Sequence, residues 1–198
     1  CGYTMDYPVE QLARDCKIAS IFEGTDGIQA MDLLGRKLGM KNGAVFMNFL
    51  GEIKSIVQQA KAMDALSPMA TTLEAAVDQL GETAMAIGKQ AMSPEFKTAF
   101  ASAHPFMMAM GDVIMGWMLL WRSVIAAPKL DKIVGSATGE KRQALLEKDK
   151  NAAFYDGQIQ SARYFMRSVL PIALGRLAAV RAADDAALQI SERGFGGL

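Results

Sequence analysis

Apolar residues recur three and four positions apart through most of this chain, with polar residues between them, and that spacing predicts helices. After Pro8, the set Val9, Leu12, Cys16 and Ala19 predicts a short amphipathic helix. Thr25 and Asp26 read as helix-start residues, with Gln29 at capping-box spacing from Asp26 and Ile28, Met31, Leu34 and Leu38 as the apolar face behind them. Gly39, Asn42 and Gly43 form a helix-ending cluster and mark a boundary. Beyond it, Val45, Phe46, Phe49, Leu50, Ile53, Ile56, Val57 and Ala60 predict a helix to about residue 63. Ser67-Pro68 opens the next, faced by Leu73, Ala76, Val77, Leu80, Ala84 and Ile87, and Ser93-Pro94-Glu95 opens a third. No alternating strand pattern follows residue 44. The expected fold is all-α, a helical bundle, divided into residues 1–43 and 44–198.

The most apolar stretch is Phe106–Ala127. It has nearly the length needed to span a bilayer. Asp112 and Arg122 interrupt it, and Gly111 and Gly116 suit close helix packing, so the expectation is the buried centre of a bundle with no membrane insertion. Its methionines at 107, 108, 110, 115 and 118 are expected to fill an irregular core. His104, before Pro105, is placed at a bend with no ligand role. Pro128–Gly139 reads as a polar, glycine-containing connection, and Glu140–Lys150 as a charged helix or mobile segment with a solvated face. A last long helix is expected from about Ala152, with Phe154, Ile159, Ala162, Phe165, Val169, Leu170, Ile172, Leu174, Leu177 and Val180 in its core. Pro171 should bend or restart it. Gly194 to Leu198 is too glycine-rich to order itself.

At 198 residues with 51% hydrophobic content, the chain can bury a sizeable core. Lys plus Arg and Asp plus Glu both number 21, so no net charge argues for nucleic acid or an anionic membrane as a partner. Two cysteines, Cys1 and Cys16, supply neither a disulfide framework nor metal-ligand spacing, and one histidine excludes a multi-histidine metal site. A reduced, cytoplasmic setting is the default. Cys16 is expected to be a small buried hydrophobe rather than a reactive thiol.

Reactive chemistry concentrates in Arg14–Lys37, around one carboxylate. Glu23 follows the apolar run Ile18–Phe22 and precedes Gly24 and Thr25. Partial desolvation there would raise its pKa toward the range of a general base. The free N–H groups of the helix beyond would suit an anion, and Gly24 would let a ligand approach the backbone. The same spacing also fits a plainer role, in which Glu23 is only a favourable partner of the helix dipole.

The run Gly2-Tyr3-Thr4-Met5-Asp6-Tyr7-Pro8-Val9-Glu10, followed by Arg14-Asp15-x-Lys17-Ile18 and Ile21-Phe22-Glu23-Gly24-Thr25-x-x-Ile28-Gln29, resembles the C-terminal signature of the acyl-CoA dehydrogenase family. The resemblance implies that Glu23 is the base that takes the α-proton of an acyl-CoA thioester, while FAD receives the β-hydrogen as hydride. It implies contacts of Gly24 and Thr25 with FAD. Arg14 and Asp15 become a buried clamp behind the Glu23 loop, where the residues alone suggest a solvated or structural ion pair. Two positions depart from the family pattern. Gly27 stands where many members have Gln or Glu, and Phe22 keeps the ring of the commoner Tyr without its hydroxyl.

A second set, Gly111-Asp112 with Gly116-Trp117-Met118-Leu119-Leu120-Trp121, then Phe154-Tyr155-x-Gly157, Ala162-Arg163-Tyr164-Phe165 and Leu170-Pro171, is similar to the extra C-terminal helical domain of a larger dehydrogenase subfamily. That group includes enzymes acting on 3-methylthiopropionyl-CoA and on fatty acyl-CoAs. The resemblance implies an accessory bundle from about residue 45, a homodimer, and electron transfer onward to an electron-transfer flavoprotein. The chain lacks an initiator Met and begins inside the signature, so it is expected to be a fragment, inactive alone, of an FAD-dependent acyl-CoA dehydrogenase. A non-catalytic helical interaction or oligomerisation module is the alternative, and a membrane-associated bundle built on Phe106–Ala127 a third reading.

Overall fold

The computed structural model describes residues 4–7 and 9–196. Pro8, the expected helix start, and Cys1, Gly2, Tyr3, Gly197 and Leu198 lie outside the described residues. Among the described residues ten α-helices follow one another: α1 (Val9–Lys17), α2 (Thr25–Asp32), α3 (Ala44–Lys61), α4 (Ser67–Ala91), α5 (Phe96–Ala101), α6 (Ala103–Val134), α7 (Gly139–Lys148), α8 (Lys150–Ser168), α9 (Leu170–Arg181) and α10 (Ala186–Gln189). Short 3-10 turns cover Ile18–Ser20 and Glu192–Phe195, and a π-helical turn, Leu33–Lys37, extends α2. No strand occurs among the described residues.

The bundle is built on α4 and α6, against which α3, α8 and α9 pack. All six apolar positions expected for α4, from Leu73 to Ile87, are buried. They meet Ile53 and Val57 of α3, Phe106, Val113 and Leu120 of α6, and Leu170 and Leu177 of α9 in one core. Each fully buried leucine side chain contributes about 1.5–3 kcal/mol relative to exposure. Gly116 allows a close helix approach: a Cβ there would stand 3.2 Å from Leu73 Cδ1 and 3.6 Å from Met166 Cε. Two fully buried hydroxyls are satisfied within their own helices, Thr83 donating to the Gln79 carbonyl at 2.7 Å and Ser123 to the Leu119 carbonyl at 2.9 Å. Ion pairs tie helices together at the surface, Arg176 to Asp112 at 2.7 Å and Arg181 to Glu82 at 3.2 Å.

Several expectations are corrected. The expected connection from Pro128 is helix: α6 runs to Val134, and Pro128 is exposed within it. Leu130 and Val134 continue the buried face and pack with Ala152 in a second small cluster, and their burial offsets the helix-breaking cost of the proline, about 3 kcal/mol. The helix α6 is long and apolar enough to cross a membrane, yet half of its most apolar window is buried in the bundle. It is not buried all round, because Met108, Met115, Trp121 and Ile125 are exposed, while Met107 and Met110 pack against the core. Phe154 and Ile172, expected in the core, face outward. Pro171 restarts the chain as α9, standing in its first turn.

Candidate active site

The Glu23 turn is made by three consecutive residues in the left-handed region: Glu23 with φ +55°, Gly24 with φ +102° and Thr25 with φ +68°. Only glycine adopts that conformation without steric cost, so Glu23 and Thr25 are held in a disfavoured geometry of the kind that gathers at functional sites. Gly24 is required twice over. Besides its φ, an added Cβ would stand 2.9 Å from Ile28 Cγ2. Upstream the turn is anchored by N–H groups of Ile21 and Phe22, which both donate to the Ile18 carbonyl, at 3.0 and 2.9 Å.

Downstream, α2 begins at Thr25 with Gly24 as its N-cap and no side-chain cap. The capping box expected between Asp26 and Gln29 is not what forms. The Gln29 side chain reaches six residues back, its Nε2 donating to the Glu23 carbonyl at 2.7 Å. Behind Gln29, Ala30 and Leu34 are buried in the main core. The π-helical turn, closed by Leu38 N–H to the Leu33 carbonyl at 3.0 Å, adds a residue to the helical repeat. Ile28 and Met31, expected on the packed face with Leu34, are exposed. Asp32 sits at the start of this turn with Arg36 bound through two 2.7 Å contacts and Lys37 3.5 Å away. The Arg36 hydrogen bonds hold the Asp32 carboxyl below its ordinary value of 3.8.

The Glu23 side chain is exposed, which corrects the desolvation expected from its apolar neighbours. Those neighbours are themselves exposed, Ile18 and Phe22 at 53% each. The helix α1 likewise buries no residue, with Leu12 68% exposed. Arg14 pairs with Glu10 one turn before it and not with Asp15, so no buried clamp forms here. Cys16, expected to be buried, is exposed, its thiol donating to the Ala13 carbonyl at 3.3 Å. His104 lies exposed in the first turn of α6. The described residues contain no cluster of metal-ligating side chains.

Two features were not foreseen from sequence. One is the Gln29 bond, whose only signal was a glutamine in the first helical turn. The other is the open space at Gly27, where an added Cβ would meet nothing within 4 Å.

A model described as "Acetyl-CoA dehydrogenase C-terminal like" matches residues 49–191, and one described as "Acyl-CoA dehydrogenase, C-terminal domain" matches residues 1–38. The chain belongs to the acyl-CoA dehydrogenase family. It is 30% identical, over 98% of its length, to a broad-specificity linear acyl-CoA dehydrogenase of Mycobacterium tuberculosis, covering 30% of that protein. It is likewise 30% identical, over 96% of its length, to a butyryl-CoA dehydrogenase of Syntrophomonas wolfei, covering 29% of it. A 3-methylmercaptopropionyl-CoA dehydrogenase of Ruegeria pomeroyi is 29% identical over 85% of this chain and is covered to 26%. The chain thus spans less than a third of the length of these relatives.

The residues of the turn fit part of a flavin-binding surface. Gly24 presents backbone without a side chain, the start of α2 carries no side-chain cap, and the Phe22 ring stands exposed beside them. They offer an uncapped helix start, side-chain-free backbone and an exposed ring, but not a closed pocket.

Proposed function

We propose that this chain is the C-terminal part of an FAD-dependent acyl-CoA dehydrogenase and supplies its catalytic base, Glu23. The observation that carries this reading is the three-residue left-handed turn. It presents an exposed Glu23 carboxylate and the Gly24 backbone in a segment whose apolar residues Leu12, Ile18, Ile21 and Phe22 are also exposed. A bound FAD supplies the acceptor for the β-hydrogen, which leaves the substrate as hydride. Gly24 and Thr25 would hold it through backbone contacts, Gly24 by close approach and Thr25 at the uncapped start of α2.

Glu23 takes the α-proton of the thioester onto its carboxylate. Covering this segment with the rest of a longer protein and with the acyl chain would remove water from the carboxylate, raise its proton affinity and make it a better base near neutral pH. Residues 44–198 form the accessory bundle, with the division from residues 1–43 falling in the stretch between the two family matches. The subfamily is the one with the additional helical domain, for which the match over residues 49–191 gives support. An acyl-CoA is the substrate, an electron-transfer flavoprotein the electron acceptor, a homodimer the assembly and the cytoplasm the compartment. The chain alone has no dehydrogenase activity.

The test is Glu23→Gln in the full-length protein, titrated anaerobically with short, medium and long acyl-CoAs while the flavin absorbance is followed. The expected variant keeps its flavin and loses nearly all bleaching and turnover. A variant that bleaches at the unmodified rate removes Glu23 from the role of base.

A further inference from the structure

We propose that Gln29 is the positioning residue of the catalytic turn, acting through the main-chain carbonyl of Glu23; this rests on the reading of Glu23 as the base. Among the described residues, the Gln29 amide is the donor that the Glu23 carbonyl finds, at 2.7 Å. The contact matters because of what surrounds it. Glu23, Gly24 and Thr25 all have positive φ, and two of the three carry side chains that resist that conformation. The start of α2 has no side-chain cap to stabilise the turn from that end. Among the described residues, the turn is therefore a strained segment with one side-chain hydrogen bond tying it to α2.

That tie is well founded. Gln29 is half-buried, one residue before Ala30, which is 1% exposed, and five before buried Leu34. Both belong to the core shared with the bundle helices. Core packing fixes the helix, the helix fixes the amide, and the amide fixes the orientation of the peptide plane between Glu23 and Gly24. That plane sets ψ of Glu23 and with it the direction in which the Cα–Cβ bond carries the carboxylate. Gln29 contacts neither the carboxylate nor any reacting atom. Its effect is on how often the base points along the line of proton transfer, a term to which rates are steep in distance and angle.

The experiment compares Gln29→Met, Gln29→Glu and Glu23→Gln in the full-length, flavin-loaded protein. The substrate is the linear acyl-CoA that bleaches its flavin fastest, used protiated and deuterated at the α-carbon. Gln29→Met keeps length and shape but has no N–H. It should leave flavin content, melting temperature and KM unchanged, lower kcat about tenfold, and raise the α-deuterium isotope effect on kcat as proton abstraction becomes rate-limiting. Gln29→Glu, which when ionised places an acceptor against an acceptor, should lose more. The proposal is overturned if kcat per bound flavin and the isotope effect stay at unmodified values, or if kcat falls only in step with flavin content. Should Gln29→Met fail to fold, Gln29→Glu decides between the same results. Glu23→Gln separates the two claims. If it retains turnover, the reading of the base fails; if it is inactive while Gln29→Met is unimpaired, only the positioning role fails.

Discussion

Two parts of this chain use amphipathic helices in opposite ways. In the bundle, the apolar positions of α3, α4 and α9 meet one another and α6, and Leu73, Val77, Leu80 and Leu177 are fully buried. In the segment that carries the Glu23 turn, Met5, Tyr7, Val9, Leu12, Ile18, Ile21, Phe22, Ile28 and Met31 have the same apolar character and face outward. A periodic apolar pattern states that a face seeks a partner and not where the partner is. In the bundle the partner lies within these residues. In the Glu23 segment Ala30 and Leu34 reach the core, while the other large apolar residues named are left exposed.

Truncating one leucine on each side tests this contrast most severely. Leu73→Ala removes a side chain with no exposure that also fills the space against Gly116, and should destabilise the chain by about 2–5 kcal/mol in denaturant titration. Leu12→Ala in the same chain should change stability by no more than about 0.5 kcal/mol, since its side chain is already in water. In the full-length protein the two should converge, with Leu12→Ala approaching the cost of a core truncation. If Leu12→Ala stays neutral there, Leu12 stays solvated and does not pack against the rest of the enzyme.

How much was legible in advance follows the same division. The face of α4, the start at Ser67-Pro68, the restart at Pro171 and the all-helical class could be read from spacing, because in those places the local signal and the packing agree. The extent of α6 could not. Pro128 is a strong local stop that is overridden by burial of Leu130 and Val134, a fact of packing that no local signal carries. Phe154 and Ile172 failed for the converse reason, being apolar residues on a face that no helix covers. At the candidate site, the order Glu-Gly-Thr located the turn, but its left-handed geometry is shared by two residues that rarely adopt it. Gln29 was seen as a capping partner of Asp26, and its bond to the Glu23 carbonyl depends on that geometry.

A smaller effect separates the two glycines of the site. Gly24→Ala meets both φ +102° and the 2.9 Å approach to Ile28, and should destabilise the turn by roughly 1–3 kcal/mol. Gly27→Ala enters open space in ordinary helix and should stabilise α2 by up to about 1 kcal/mol. In the full-length protein the first should lower flavin content while the second leaves it unchanged. Equal effects from the two variants would remove the special conformation of Gly24 from the account of this site.

The smallest expected effect belongs to Asp32, where the open segment turns into the packed one. Its carboxyl is held below 3.8 by the hydrogen bonds from Arg36, so the sign of its contribution is fixed. The folded state binds the proton less readily than the unfolded chain. The stabilisation is present above the ordinary carboxylate pKa of 3.8 and is lost as pH falls below it, through the lower folded value. The pair is solvent-exposed, so salt should screen it and weaken the effect. Asp32→Asn should therefore leave a slightly less stable chain at neutral pH, with a flatter loss of stability on the acid side than the unmodified protein shows. Hydrogen exchange should place the loosening in the π-helical turn at Leu33–Lys37 and leave the amides of α4 protected. If the acid limb is unchanged by Asp32→Asn, the Arg36 contact does not brace the link between turn and bundle, and the core contacts of Ala30 and Leu34 hold it unaided.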